Sequence, residues 1–260
     1  MIYIIAIFIS LFATITGSIT GIGGGVIIKP VLEAFSGFSL VVVSFLSGCT
    51  VLAMTLVSLI RNRKSTIKID YKKSTWLAAG ATFGGIAGKG IFDLAIHFSE
   101  HDSVLGIIQS SLLIVITAGV VVYVQVKEHI TLHHVKHPAA CIAIGFLLGM
   151  ISSFLGIGGG PINIAVLSFF FAMDSKTSAL NSIYIIFFSQ LTSFGTTAVN
   201  GTIPQVDILV LLMMIVGGIS GSIIGSIISN KMTNRKVDGL FSTVMVIIIG
   251  ISFYNLISYV

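Results

Sequence analysis

Charge is scarce in this chain: only 9% of its 260 residues are Asp, Glu, Lys or Arg. A soluble domain carries roughly a quarter, so an ordinary water-soluble fold is excluded. Residues 1–28, 34–60, 103–126, 139–173, 177–206, 208–230 and 239–260 contain no charged side chain at all. Long polar stretches are also lacking. The longest, residues 61–73 and 127–138, are too short to hold a core, so no soluble domain is expected. There are only two cysteines. Cys49 and Cys141 lie in apolar runs and supply neither a disulfide framework nor a zinc quartet; both read as small buried apolar groups. No G-x-S-x-G elbow, H-E-x-x-H or Walker loop is present, which removes the common enzyme and ATP-driven readings. The strand alternation of a membrane β-barrel is missing too.

What is there is apolar residue and glycine. The hydrophobic fraction is 55%, and mean hydropathy is +1.08. Most of the uncharged runs reach the roughly 20 residues that a spanning helix needs, and helices satisfy their backbone polar groups in lipid. The first run, "MIYIIAIFISLFATITGS", has no basic leader and reads as a retained membrane segment. Glycine numbers 28 and clusters. "GIGGG" occurs at residues 21–25 and again at 156–160. "SFLSGCT" (44–50) aligns with "SALNSIY" (178–184), and "GGIAGKGI" (84–91) with "GGISGSII" (217–224). Three blocks in one order mark an internal duplication. The first repeat is residues 1–126, the linker 127–137 and the second repeat 138–260. Each repeat has a glycine-broken segment followed by three spans, about 40–60, 75–96 and 104–125, then 177–198, 207–229 and 238–258.

Charge sets the expected orientation. Residues 61–73 are dense in Lys and Arg and read as cytoplasmic, as does the linker. The loop at 97–102 then lies outside. In the second repeat the basic segment 230–236 corresponds to that outside loop, while 200–207, without a basic residue, corresponds to the basic inside loop. Matching loops on opposite sides imply two inverted repeats. The fold expected is all-α and polytopic, each repeat combining a re-entrant or hairpin segment with three spanning helices. Both termini are expected outside the cell membrane.

Three consecutive glycines make a continuous helix improbable, and irregular backbone at membrane depth belongs in protein or beside a water-filled cavity. Where a helix restarts, its free N–H groups and positive dipole end suit an anion. Gly21, Gly23, Gly24 and Gly25, with Gly156, Gly158, Gly159 and Gly160, are therefore expected to cradle an anion between two breaks reaching in from opposite leaflets. Close helix packing is the competing reading, and it is preferred for "GGIAGKG" and "GGISGSIIG".

The twin GIGGG motif, Pro30 after its first copy and a duplicated apolar chain of this length resemble the TauE/SafE sulfite exporter family across essentially the whole chain. That resemblance implies a secondary transporter of sulfite, an organosulfonate or another small anion, working by alternating access around the paired breaks. The alternative is a passive anion or small-solute channel; an enzymatic role is not expected.

Among single residues, Asn163 lies in the first turn after the second break and is the preferred polar ligand. Ser47 and Asn181 align across the repeats and are further candidates, as are Thr20, Ser152, Ser153 and Gln190. Lys29, inside the membrane, either balances an anion, snorkels to the interface or pairs with Glu33 at i,i+4. Lys89 and Asp93 are a structural i,i+4 pair or a coupling element. His129, His133 and His137 read as a solvated interfacial segment rather than a metal site. The expected partners are a small anion and the lipid bilayer, without nucleic acid, metal or cofactor; an oligomer is possible but not implied.

Overall fold

The computed structural model describes residues 2–63, 67–98, 102–131 and 133–259. The middles of two loops used above for orientation, 64–66 and 99–101, lie outside the described residues. Among the described residues ten α-helices run in chain order: α1 Ile2–Thr20, α2 Gly25–Phe35, α3 Leu40–Asn62, α4 Tyr71–Phe98, α5 Asp102–Val126, α6 Pro138–Leu155, α7 Gly160–Phe171, α8 Ser175–Val199, α9 Ile208–Lys231 and α10 Asn234–Tyr259. Among the described residues seven are long and apolar enough to cross a membrane: α1, α3, α5, α6, α8, α9 and α10. The protein is a polytopic helical membrane protein. Helix α4, with 28 residues, is also long but carries Lys72, Lys73, Lys89 and Asp93.

Local signals set the helix starts. Asp174 caps α8 by accepting from the Thr177 amide at 2.8 Å, and Asp207 caps α9 by accepting from Leu209 at 2.8 Å. The hydrogen bond from the Tyr3 hydroxyl, with the Leu209 amide, also holds the Asp207 carboxyl below its ordinary range. Pro138 opens α6, where a missing N–H does no harm.

Packing pairs helices across the two halves. Helix α1 lies along α9, and α6 lies along α4. Helix α3 packs on α9, α8 on α4, and α5 on α10. The short helices follow suit: α10 covers α2, and α5 covers α7. Glycine makes the two long pairs close. A Cβ on Gly80, Gly84 or Gly88 would overlap the carbonyl of Ile142, Phe146 or Met150 on α6. On α9, one on Gly217, Gly221 or Gly225 would overlap Ser10, Thr14 or the Ile15 carbonyl on α1. The packing reading of those two glycine blocks is what the structure contains.

Hydrogen bonds fix the ends of the bundle. At one end, called the near end here, the Tyr3 hydroxyl donates to Asp207 at 2.9 Å, Asn255 donates to the Pro30 carbonyl at 2.9 Å, and Tyr259 packs on Gly106. At the far end Lys127 donates to Asp238 at 2.6 Å and to Ser175 at 3.1 Å. The amides of His133 and Val135 reach the Phe169 and Phe170 carbonyls there, both at 2.9 Å. The pair α1–α2 thus enters and leaves at the near end, and α6–α7 at the far end. The arms of each pair are unequal. Helices α1 and α6 have 19 and 18 residues, α2 and α7 only 11 and 12. At 1.5 Å per residue the first arms reach about 28 Å, close to the thickness of a hydrocarbon core. The glycines therefore lie deep along the entering helix rather than halfway.

Candidate functional site

The chain leaves helical geometry at both glycine clusters. Gly21, Gly23 and Gly24 have φ of 80°, 80° and 58°; Gly156, Gly158, Gly159 and Gly160 have 63°, 77°, 109° and 51°. L side chains rarely adopt such values, so glycine is what the turn requires. Gly156 also ends α6 with a left-handed cap, its amide returning to the carbonyls of Ser152 and Ser153. Helices α2 and α7 then start with Gly24 and Gly159 at their N-caps, where no side chain caps them.

The two breaks touch each other. A Cβ on Gly25 would overlap the Ile157 carbonyl, and one on Gly160 would overlap Val26. Ile22, Val26, Leu155, Ile157 and Ile164 share one buried apolar cluster around this contact. Without Cβ atoms the two backbones approach closely, and apolar side chains pack around the contact.

A cavity of about 40 Å³, walled by both polar groups and apolar side chains such as Val41, Phe45 and Phe194, lies beside the second break, enough for roughly three waters. Its walls come from Ser44, Gly48 and Cys49 on α3, Lys89 and Phe92 on α4, Ser153 and Gly156 at the end of α6, and Gln190, Ser193 and Thr197 on α8. Thr202 and Pro204, between α8 and α9, also line it. The hydroxyls of Ser44 and Ser153 are buried and have no hydrogen-bond partner. So are those of Ser47 and Ser189 and the Asn163 side-chain oxygen. A Cβ on Gly156 would sit 2.7 Å from the Ser44 hydroxyl, and one on Gly158 would sit 2.9 Å from the Gln190 amide nitrogen. Next to Gly159, Asn163 Nδ2 and Ser152 Oγ lie 2.7 and 3.2 Å from such an atom. Unbonded buried polar groups are uncommon, and several of them surround one glycine turn.

Lys29 is 2% exposed, so it does not snorkel. Its ammonium donates to Gln109 Oε1 and to the Leu155 carbonyl, both at 2.6 Å. Leu155 is the last residue of α6, so a cation rests at that helix's negative end. The same ammonium would lie 3.4 Å from a Cβ on Gly156, and Glu33 stands 3.6 Å away, the anticipated i,i+4 pair. On the wall of the cavity, Lys89 pairs with Asp93 at 2.7 Å and lies 4.7 Å over the Phe92 ring.

The remaining candidates are placed elsewhere. Asn181 is buried near the far end. Its side-chain oxygen accepts from the Asp70 amide and the Ser74 hydroxyl, and its nitrogen donates to the Thr177 carbonyl. These contacts fix the start of α4 and leave nothing aimed at a break. Around Gly21, the counterpart of Gly156, the space is shut. A Cβ there would overlap Ala179, and the Ser182 hydroxyl donates to the Gly21 carbonyl at 2.7 Å. Thr20 is bonded to its own helix at the Thr16 carbonyl. The histidines stay apart from the cavity, and no group of three or more metal-ligating side chains occurs among the described residues. Cys141 is buried, as expected of both cysteines, but half-buried Cys49 lines the cavity. Ser44, Ser189 and Gln109 were not singled out from the sequence. Ser44 opens a duplicated block, but Gln109 shows no local signal.

A family model described as "Sulfite exporter TauE/SafE" matches residues 6–253. The probable membrane transporter protein YunE of Bacillus subtilis (strain 168) is 24% identical over 229 residues, covering 82% of this chain and 84% of the relative. No solved structure matches the chain.

Proposed function

The chain belongs to the sulfite exporter TauE/SafE family, and from that premise we propose that it is a secondary transporter carrying a small sulfur-containing oxyanion, sulfite or an organosulfonate, across the cell membrane. The observation that carries this reading is the contrast between the two glycine turns. Beside Gly156 there is a cavity walled in part by hydroxyls, with Lys89 on its wall and Lys29 behind the Gly156 turn, while around Gly21 the equivalent space is packed shut. One open and one closed vestibule is the asymmetry of an alternating-access carrier resting in one of its two states. The hydroxyls without partners are suited to donate to oxyanion oxygens, and two ammonium groups supply the sign.

The same facts support an inverted repeat. The broken pairs enter from opposite ends and the helix pairings exchange between halves, which fits repeats 1–126 and 138–260 related by an axis in the membrane plane. The near end, where α1 begins and α10 ends, is the outside, because the basic segments 61–63, 67–73 and 230–236 belong to the far end. Direct packing of the two breaks favours a carrier over an open channel. Counterflow in proteoliposomes tests this: internal unlabelled sulfite should accelerate uptake of labelled sulfite, with saturation. Flux that stays linear in concentration and indifferent to internal sulfite would establish a channel instead.

A further inference from the structure

Glu33 is the other member of the buried pair behind the Gly156 turn, and the anion reading leaves it without a task. Its side chain is 7% exposed. Oε2 accepts from Asn255 at 3.5 Å, the limit of a hydrogen bond, and Oε1 has no hydrogen-bond partner. Lys29, at 3.6 Å, spends its short bonds on Gln109 and Leu155 instead. A buried carboxylate is compensated by several donors or by a countercharge; here Lys29 is the cation within reach. Ser252, whose hydroxyl is likewise unbonded, lines with Glu33, Gln109 and Ser110 a pocket of about 10 Å³, the lower limit for one water.

Other charges near this pair are few. Helices α1, α6 and α7 contain no Asp, Glu, Lys or Arg. Helix α3 has Arg61 at its far end, α5 only Asp102 at its first residue, and α10 only Arg235, Lys236 and Asp238 in its first turns. From α4, Lys89 faces across the cavity, with Asp93 bonded to it. Lys29 is thus the sole countercharge within bonding range of Glu33 among the described residues, and it is also the ammonium beside Gly156.

We propose that Glu33 is the proton-binding site that couples proton movement to anion movement, through the Lys29 charge that carboxylate and anion share. An anion arriving beside Gly156 competes with Glu33 for that ammonium. The carboxylate takes up one proton from water and becomes a neutral acid, and Lys29 is left to balance the anion. A monovalent anion and a proton then enter together, and the buried charge stays the same. Linkage makes the effect reciprocal: protonation of Glu33 tightens anion binding by the factor by which the anion favours protonation. The Lys89–Asp93 pair, considered for coupling from its spacing, is less suited. Its members bond directly at 2.7 Å, and Asp93 is 31% exposed, where solvent screens it. This inference rests on the anion-carrier reading of the cavity.

The test is binding of methanesulfonate and ethanesulfonate to the purified full-length protein. Both stay fully ionised from about pH 5.5 to 8, so the probe's own titration does not intrude. The unmodified protein should bind them about tenfold more tightly per unit fall in pH through the responsive range, with one proton taken up per anion in weak buffer. Glu33→Gln should bind at every pH as the unmodified protein does at its acid limit, without proton uptake, while Asp93→Asn keeps the full pH response. Anion binding without proton uptake by the unmodified protein overturns the coupling site and leaves the carrier reading standing. An unchanged pH response in folded Glu33→Gln does the same. No binding of either probe or of sulfite at any pH overturns both. If Glu33→Gln does not fold, the proton count on the unmodified protein decides.

Discussion

At the scale of single residues, Gly156 combines two demands that substitution separates. It has φ of 63° and faces the Ser44 hydroxyl, whereas Gly201, with φ of 67°, has nothing within 4 Å of an added Cβ. An alanine at either position carries about 1–2 kcal/mol of backbone strain. Only Gly156→Ala should also weaken sulfite binding, by tenfold or more, as titration calorimetry would show. Equal affinities in the two variants would remove Gly156 from the site. Cys49 gives a second reading without mutation. A charged methanethiosulfonate reagent should label it in the unmodified protein, sulfite should slow that labelling, and buried Cys141 should not react. Legibility at this scale followed distance along the chain. The Lys29–Glu33 pair and the glycine turns rest on local spacing and could be read from the sequence. Gln109 and the Leu155 carbonyl lie 80 and 126 positions from Lys29, and nothing in local spacing predicts such contacts. Asn181 matched Ser47 in the repeat alignment yet serves the start of α4, because alignment gives equivalent positions and not equivalent neighbours.

At the scale of elements, the small-residue stripes on α4 and α9 were visible as faces, but a face does not name its partner. That α4 lies on α6 and α9 on α1 comes from the fold of both halves together. The consequence for stability is selective. Gly88→Ala puts a methyl group into the Met150 carbonyl, while Gly90, on the same helix, has open space around it. Thermal unfolding in detergent should show Gly88→Ala less stable by about 1–3 kcal/mol. Gly90→Ala should be neutral or up to about 1 kcal/mol more stable, since alanine is the better helix former. Similar melting of both variants would mean that α4 and α6 are not in backbone contact. The breaks were legible because consecutive glycines oppose helix. The shorter return helices were legible as well, because an uncharged run such as 139–173 is too long for one span and too short for two.

At the scale of the whole molecule, the orientation proposed from charge makes a plain forecast. Peptide tags at both termini should be open to antibody on intact cells. A cysteine at exposed Lys236, in a background free of Cys49 and Cys141, should react with an impermeant reagent only after permeabilisation. The reverse pattern would invert the carrier. The long-range pairing of helices also bears on biogenesis. By the time α6 emerges from the ribosome, α4 is already made. Helix α1 has no such luck: its partner α9 begins at Ile208, and at 5–20 residues per second it must wait about 10–40 s. Until then the groove-seeking side of the first helix, with Ser10, Thr14 and Ser18, stands in lipid or against a chaperone. Truncation anywhere before α9 strands it there, because the surface that covers the first helix is made almost last.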